Sequence, residues 1–243
     1  MSTLQRRAES AVNTAKKWES DKALLAEIRS SIPFKELVPE LVCDVDNQCC
    51  SYIDGTKVED CKDDIQYKTE CFKDDDSDWE GDDLLLKRLT LYFKKEIMSW
   101  CNQPPCCNPN CKGNEDGKQM ESKGMRGPES EEERVGEASR VEVYSCNLCG
   151  TETTFPRFNS PRALFKSRKG RCGEFANLFG TYCRALGFDT RYIRDFTDHV
   201  WVEVWSGKSA FSHYLTAFET HFLTNVFIFS SFIFINCKTR FFQ

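Results

Sequence analysis

The chain has 243 residues, a formal net charge of −5 and a pI near 5.4. The acidic balance argues against a general nucleic-acid binder, and the length is enough for one domain of ordinary size with appendages. The first twenty residues contain no apolar run, so we expect no secretory signal. The 14 cysteines are then better interpreted as thiols and metal ligands than as disulfides, in a cytoplasmic protein that could also be nuclear.

The first third of the chain is predicted to be helical and then acidic. Apolar residues at helical spacing run over 1–32 and stop at Pro33, and we assign N-terminal helices to residues 1–43. Residues 44–81 form a predicted acidic loop or linker, because 44–83 holds 15 Asp or Glu residues against four Lys. A partner-binding acidic segment is the alternative for this stretch.

The middle of the chain combines a helix, an insertion and a strand. Residues 81–100 have the pattern of an amphipathic helix with acidic residues in its first turn. Residues 112–138 are rich in Gly, Glu, Lys and Ser and are predicted to be a loop or flexible insertion. The alternating, β-branched run RVEVYSC over 140–146 predicts a strand.

Cys172 is a candidate nucleophile. A short helix is predicted from Cys172 until Gly187, and two alternating strands, TRYIRDF and HVWVEVW, follow it. A helix amino terminus lowers the pKa of a thiol, and His199 at the start of the second strand is the obvious base for Cys172. The plainer interpretation makes Cys172 a small buried residue and His199 a turn residue.

Two cysteine groups have metal-ligand spacing. Cys146 and Cys149 form a Cys-x-x-Cys pair, and Cys111 with either Cys106 or Cys107 forms the other pair in PPCCNPNC. Tetrahedral zinc is the metal that four cysteines suit, and unpaired loop thiols are the alternative. The other cysteines are interpreted as thiols without a metal, and a second metal site formed by Cys49, Cys50, Cys61 and Cys71 is the alternative for four of them.

Several stretches resemble the cytosolic peptide:N-glycanases of the transglutaminase-like superfamily. They are RVEVYSCNLC, FPRFNSPRAL, GRCGEFANLFGTYCRALGFDTRYI and DFTDHVWVEVWS, and they occur in the family's order between about 82 and 206. The resemblance implies that Cys172 is the nucleophile and His199 its base. It also implies a structural zinc held by Cys106, Cys111, Cys146 and Cys149, with Cys107 an alternative to Cys106.

The resemblance implies an α+β, papain-like cysteine fold with an inserted zinc-binding subdomain. Residues 82–208 would form the catalytic core, with the zinc-binding segment at 101–150. Trp100, Arg191 and Glu203 match positions that line the family's substrate cleft. The implied activity is deglycosylation, in which the bond between asparagine and the innermost N-acetylglucosamine of misfolded N-glycoproteins is cleaved. Proteasome or ubiquitin-pathway factors are the implied partners.

The chain departs from the family after residue 207. The family has an aspartate soon after the histidine, but no aspartate follows Asp198 here, and nothing aligns His213 or Glu219 with that role. Residues 209–243 are predicted to be an aberrant apolar tail. Translated non-coding sequence, a membrane anchor and a diverged strand pair are the three explanations of it.

Three other functions remain open on the sequence. The same fold occurs in DNA-damage recognition proteins that lack the catalytic residues, but the acidic balance and the presence of Cys172 and His199 argue against that class. A catalytically inactive truncated product or adaptor is favoured by the missing aspartate. Transglutaminase or protease activity would use the same thiol-acyl step with a different leaving group.

Overall fold

Helices and short strands alternate along the chain in the computed structural model. It describes residues 2–37, 81–115, 117–194, 200–205, 227–229 and 232–234. The helices are α1 (Thr3–Lys17), α2 (Lys22–Ser31), α3 (Phe34–Leu37), α4 (Gly81–Tyr92), α5 (Glu131–Val135), α6 (Pro161–Ser167) and α7 (Cys172–Ala185). The strands are β1 (Ser99–Trp100), β2 (Met120–Arg126), β3 (Val141–Cys146), β4 (Glu152–Pro156), β5 (Lys169–Gly170), β6 (Asp189–Arg194), β7 (Val200–Trp205), β8 (Phe227–Phe229) and β9 (Phe232–Phe234).

Helix α7 lies at the centre of the main hydrophobic core. It packs against α1, α2, α6, β6 and β7, and eleven of its residues are buried. Trp18 at the end of α1 is 1% exposed and donates its indole N–H to Oδ1 of Asn177 over 3.0 Å. Gly180 permits this contact, because a Cβ there would lie 2.2 Å from the Trp18 ring. The helix that begins with Cys172 is therefore held on several sides.

The sheets are small. Strands β2, β3 and β4 form an antiparallel sheet with β3 in the middle, β6 pairs antiparallel with β7, and β1 pairs parallel with β5. The β1–β5 pair brings the segment before the cysteine-rich loop next to the start of α7. The two N-terminal helices, the strand over 140–146 and the helix starting at Cys172 are confirmed.

The prediction of one helix over 81–100 is wrong at its C-terminal end. The α-helix ends at Tyr92, and a π-helical turn, Phe93–Ile97, follows it. Met98 then adopts an extended conformation, and Ser99 donates its amide to the carbonyl of Arg168 over 2.9 Å. Pairing with a strand about seventy residues away therefore overrides the helical pattern, and Trp100 lies on β1.

The prediction of a loop over 112–138 is also wrong. The segment contains β2, α5 and the two 3₁₀ turns Lys112–Asn114 and Gly117–Gln119. Most β2 side chains are exposed, so its sequence shows no alternation, and pairing with β3 makes it a strand. Helix α5 begins with a capping box, in which the Ser130 hydroxyl accepts the Glu133 amide.

Glu133 gives a stability prediction that is independent of the candidate site. Its buried carboxylate accepts two hydrogen bonds from Arg126, at 2.9 and 2.8 Å, and Arg126 lowers the pKa of Glu133 to about 2. Because the pKa in the unfolded chain is about 4.3, this stabilisation is complete above that pH and is lost as pH falls towards 2. We expect Glu133→Gln to lower the free energy of unfolding by about 2 kcal/mol at neutral pH. Urea unfolding of both proteins at several pH values checks this, and a difference at pH 2 as large as that at pH 7 would contradict it.

In the tail, β8 and β9 pair in antiparallel register, from Phe227 opposite Phe234 to Phe229 opposite Phe232. This is the form that the strand-pair explanation predicts. Across the portion of the chain that is described, none of the helices is both long and apolar enough to span a bilayer. The predicted acidic loop over 44–81, apart from Gly81, and the rest of the tail lie outside the described residues.

Candidate active site and metal site

Cys172 is the first residue of α7 and is partly buried. Arg171, the residue immediately before the helix, has an extended backbone (φ −120°, ψ −162°). Gly170 lies in a position with no room for a side chain, because a Cβ there would lie 2.2 Å from the Cβ of Glu174. The first amides of a helix have no intrahelical acceptor and carry partial positive charge, which favours a thiolate at this place.

A buried ion pair anchors this end of the helix. Arg157, just after β4, donates Nε and Nη2 to the two carboxylate oxygens of Glu174 at 2.6 and 2.8 Å. Oε2 of Glu174 also accepts the backbone amide of Arg171 over 2.9 Å. One carboxylate therefore caps the helix and ties it to the three-stranded sheet.

His199, His213 and Glu219 lie outside the described residues, so the structure gives no distance from Cys172 to any of them. Val200, the residue after His199, begins β7, which packs against α7. On the adjoining strand, burial raises the pKa of Tyr192 to about 12.

Trp100 lies close to the start of α7. Its ring centroid is 5.6 Å from that of Phe175, in the first turn of the helix. The indole N–H donates to Oδ1 of Asn102 over 2.7 Å. If Trp100 donates to a substrate oxygen, this hydrogen bond must first break.

Arg191 and Glu203 face each other across β6 and β7. The Glu203 carboxylate is buried and accepts Nε of Arg191 over 2.5 Å and the indole N–H of Trp201 over 3.4 Å. The Arg191 side chain is 56% exposed. The pair thus presents a guanidinium at the surface and holds the carboxylate below it.

The structure brings four of the predicted ligand cysteines together. One ligand atom from each of Cys106, Cys111, Cys146 and Cys149 lies within 4.8 Å of all the others. The Sγ–Sγ distance is 3.5 Å from Cys106 to Cys149 and 3.7 Å from Cys111 to Cys146. A tetrahedral zinc with bonds of about 2.3 Å places its sulfur ligands about 3.8 Å apart, so this donor set fits such an ion.

Close packing and charge both suit a cation at this cluster. A Cβ on Gly113 would lie 2.9 Å from Sγ of Cys146, so a larger residue there would displace that sulfur. A hydrogen bond with Thr151 lowers the pKa of Cys149 to about 6. At Cys106 the Asn108 amide favours the thiolate, but burial and the neighbouring thiols prevail and raise the pKa to about 12. A thiolate at Cys106 therefore needs a cation that compensates its charge.

Cys107 takes no part in this cluster. Its Sγ donates to the carbonyl of Glu152 over 3.3 Å, and its amide donates to Oγ1 of Thr153 over 3.0 Å. Of the two neighbouring cysteines that the spacing left open, the structure thus turns Cys106 inwards.

Selective alkylation tests the reactivity of Cys172. We expect mild iodoacetamide to modify it first, because it combines a helix amino terminus with partial exposure. Cys183, on the same helix, is an internal control, since burial raises its thiol pKa well above the ordinary value. Peptide mapping measures both rates, and equal labelling of Cys172 and Cys61 would contradict the prediction.

The part of the sequence that contains this site is similar to known proteins. Residues 119–214 match the family described as the transglutaminase-like superfamily. Three similar proteins are each called peptide-N(4)-(N-acetyl-beta-glucosaminyl)asparagine amidase. The one from Arabidopsis thaliana is 46% identical over 127 residues, 52% of this chain and 16% of the relative. The one from Saccharomyces cerevisiae is 44% identical over 124 residues, 51% of this chain and 33% of the relative.

The third relative, from Caenorhabditis elegans, is 46% identical over 121 residues, 50% of this chain and 19% of that protein. The matched part of the chain thus corresponds to between about a sixth and a third of the length of these relatives. Over residues 119–214 the chain is similar to the transglutaminase-like superfamily, and over about half of its length it is similar to proteins named peptide-N(4)-(N-acetyl-beta-glucosaminyl)asparagine amidase.

Proposed function

We propose that the chain acts as a deglycosylating amidase on N-glycoproteins. The bond cleaved is the amide between an asparagine side chain and the innermost N-acetylglucosamine. The observation that carries the proposal is the position of Cys172 at the amino end of α7, within a segment that is more than 40% identical to proteins named for this reaction.

The proposed reaction has two acyl-transfer steps. His199 takes the proton of the Cys172 thiol, and the thiolate attacks the side-chain carbonyl carbon of asparagine. Amides at the start of α7 stabilise the oxyanion. The C–N bond then breaks, His199 protonates the leaving nitrogen, and the glycan departs as a glycosylamine. Water hydrolyses the thioester to aspartate and free thiol, and the glycosylamine hydrolyses to a free reducing sugar and ammonia.

The proposal is tested by incubating the purified chain with a denatured, glycosylated protein. We expect a free glycan with a reducing end and a protein whose electrophoretic mobility increases. Native glycoprotein is the control, and it should react more slowly because the asparagine must reach a partly buried thiol. Absence of any glycan release, together with absence of selective Cys172 alkylation, would contradict the proposal.

For the cysteine cluster we propose a structural zinc. Cys106, Cys111, Cys146 and Cys149 would hold the ion and close its coordination. Bound there, zinc would join the loop that follows β1 to the end of β3. It has no proposed part in the bond cleavage.

An inactive or adaptor form is the second candidate, because no aspartate follows Asp198 in the sequence. Loss of the residue that orients the histidine lowers turnover by about 10⁴-fold in a Ser-His-Asp triad. We therefore expect a chimera, with a family C-terminal segment after Ser206, to release glycan faster than the natural chain by a factor of that order. Equal turnover would show that the orienting group is supplied elsewhere or is unnecessary.

We propose that the protein works in the cytosol, and also in the nucleus, on misfolded N-glycoproteins. Proteasome or ubiquitin-pathway factors would deliver them.

A further inference from the structure

Two arginines and two glutamates form a largely buried network between β3 and the start of α7. At its centre is Glu142, whose Oε1 accepts from Arg157 at 3.0 Å and from Arg171 at 3.1 Å. Its Oε2 accepts from Arg171 at 2.7 Å and from the Tyr144 hydroxyl at 2.7 Å. Through Arg157 the network continues to Glu174, the carboxylate that caps α7.

Three of the four members are buried: Glu142 is 7% exposed, Glu174 5% and Arg157 9%. The side chain of Arg171 is partly buried, at 24% exposed. The two positive and two negative charges of these four residues balance, and the exposed Arg140 adds a longer contact to Glu142 at 4.0 Å. The guanidinium groups of Arg157 and Arg171 lie over the Phe155 ring, at 5.8 and 5.6 Å. Buried ion pairs add little net stability compared with well-packed apolar residues, but the loss of one partner leaves a charge uncompensated. These four charged residues therefore fix the position of β3 relative to the start of α7.

Arg171 connects three parts of the chain at one point. Besides Glu142, its side chain donates to the carbonyl of Cys101 over 3.0 Å and to the carbonyl of Asn102 over 2.7 Å. Its backbone leads directly into Cys172. The segment that carries Trp100, the sheet and the amino end of α7 therefore meet at this guanidinium.

The network also adjoins the cysteine cluster. Glu142, Tyr144 and Cys146 alternate along β3 and are all buried, so they share one face of that strand. A displacement of β3 at Cys146 would shift the carboxylate of Glu142, and Arg171 with it.

We propose that Glu142 and Arg171 are positioning residues, which hold Cys172 at the amino end of α7 and couple it to the folded state of the cysteine cluster. This inference rests on the proposed role of Cys172 as nucleophile. Neither residue needs to touch the substrate, because Arg171 acts through the backbone that enters the helix.

The pH dependence of Cys172 alkylation tests the proposal without relying on turnover. Loss of the Glu142 charge by itself would lower the pKa of Cys172, whereas loss of position at the amino end of α7 raises it. We expect the loss of position to prevail in Glu142→Gln, so that the midpoint of the iodoacetamide profile rises by about one pH unit and labelling near neutral pH becomes about tenfold slower. Glu174 and Tyr192, which also carry ionisable groups near Cys172, stay unchanged in every variant. The metal content of each variant is measured in parallel.

Glu133→Gln is the matched control. It also removes charge from a buried, arginine-paired carboxylate. The partners of Glu133 are Arg126, at the end of β2, and Glu129 and Ser130, just before α5, and none of them belongs to the network around Glu142. We expect it to lower stability and leave the alkylation midpoint of Cys172 unchanged. A shift equal to that of Glu142→Gln would show that general loosening is responsible, which overturns the proposal.

Arg171→Lys separates position from charge. Lysine keeps the positive charge but cannot bridge two carbonyls and a carboxylate at once. The midpoint of the Cys172 alkylation profile should rise in Arg171→Lys too. An unchanged alkylation profile in folded Arg171→Lys overturns the proposal. If Glu142→Gln does not fold, Tyr144→Phe replaces it, since it removes one hydrogen bond to Glu142 and no charge. Wild-type Cys172 that reacts no faster than Cys183 would instead contradict the proposed nucleophile.

Discussion

Replacing Cys172 by alanine is expected to reduce glycan release to the rate seen without protein. The proposed reaction passes through a thioester at this sulfur, and no other described residue of α7 offers a nucleophile at its amino end. Loss of the nucleophile costs on the order of 10⁶-fold in turnover where a complete triad is present. The fold-change in the natural chain is smaller than in the chimera, because the natural chain starts from a lower rate.

Cys183→Ala is the matched control for this substitution. Cys183 belongs to the same helix and is fully buried in the core, where a smaller side chain costs some stability and touches no part of the proposed reaction. Its glycan release should equal that of the unchanged chain below the melting temperature. Release that persists in Cys172→Ala would assign the chemistry to another group.

Replacing Cys146 by serine is expected to remove the bound zinc and to destabilise the three-stranded sheet. Cys146 is 2% exposed, ends the central strand β3 and contacts Cys111. Structural zinc contributes on the order of 10 kcal/mol to the folding of small zinc-binding peptides. We therefore expect metal content to fall from one ion per chain to nearly none, with a large fall in melting temperature.

Cys107→Ser controls for the loss of a thiol in the same loop. Cys107 is exposed and bonds to the backbone of Glu152 instead of to the cluster. Elemental analysis and thermal unfolding of both variants should show full zinc and near-normal stability for Cys107→Ser alone. Unchanged zinc in Cys146→Ser would contradict the proposed ligand set.

The start of α7 could be predicted from the sequence because its signals are local. Gly170 before Cys172, apolar residues at helical spacing and Gly187 at the end all lie within one short stretch. The structure gives Gly187 a φ of +88°, the left-handed conformation that glycine adopts most readily.

Strand β1 and the π-helical turn before it could not be predicted in the same way. Residues 93–100 continue a helical pattern, and only pairing with Lys169–Gly170 makes the last two of them a strand. Strand β2 is mostly exposed and therefore carries no alternation. In both cases a partner distant in sequence decides the conformation.

Two further features could not be predicted from the sequence: which of Cys106 and Cys107 turns towards the cluster, and the charged network around Glu142. Metal-ligand spacings of three and four residues are both acceptable, so which Sγ turns inwards depends on the loop as a whole. Glu142 alternates with valines, and this pattern predicts a side chain that faces solvent. In the structure its carboxylate accepts hydrogen bonds from Arg157 and Arg171 instead. The capping box at Ser130 and Glu133 is a local signal that would have indicated α5.

The residue left at the glycosylation site tests the central claim most directly. A glycopeptide is incubated with the protein in water enriched in heavy oxygen, and the product is sequenced by mass spectrometry. Hydrolysis of a Cys172 thioester predicts aspartate in place of the glycosylated asparagine, with one heavy oxygen in its carboxylate and no remaining sugar. Asparagine that retains one N-acetylglucosamine, or a cleaved peptide bond beside it, would contradict the account.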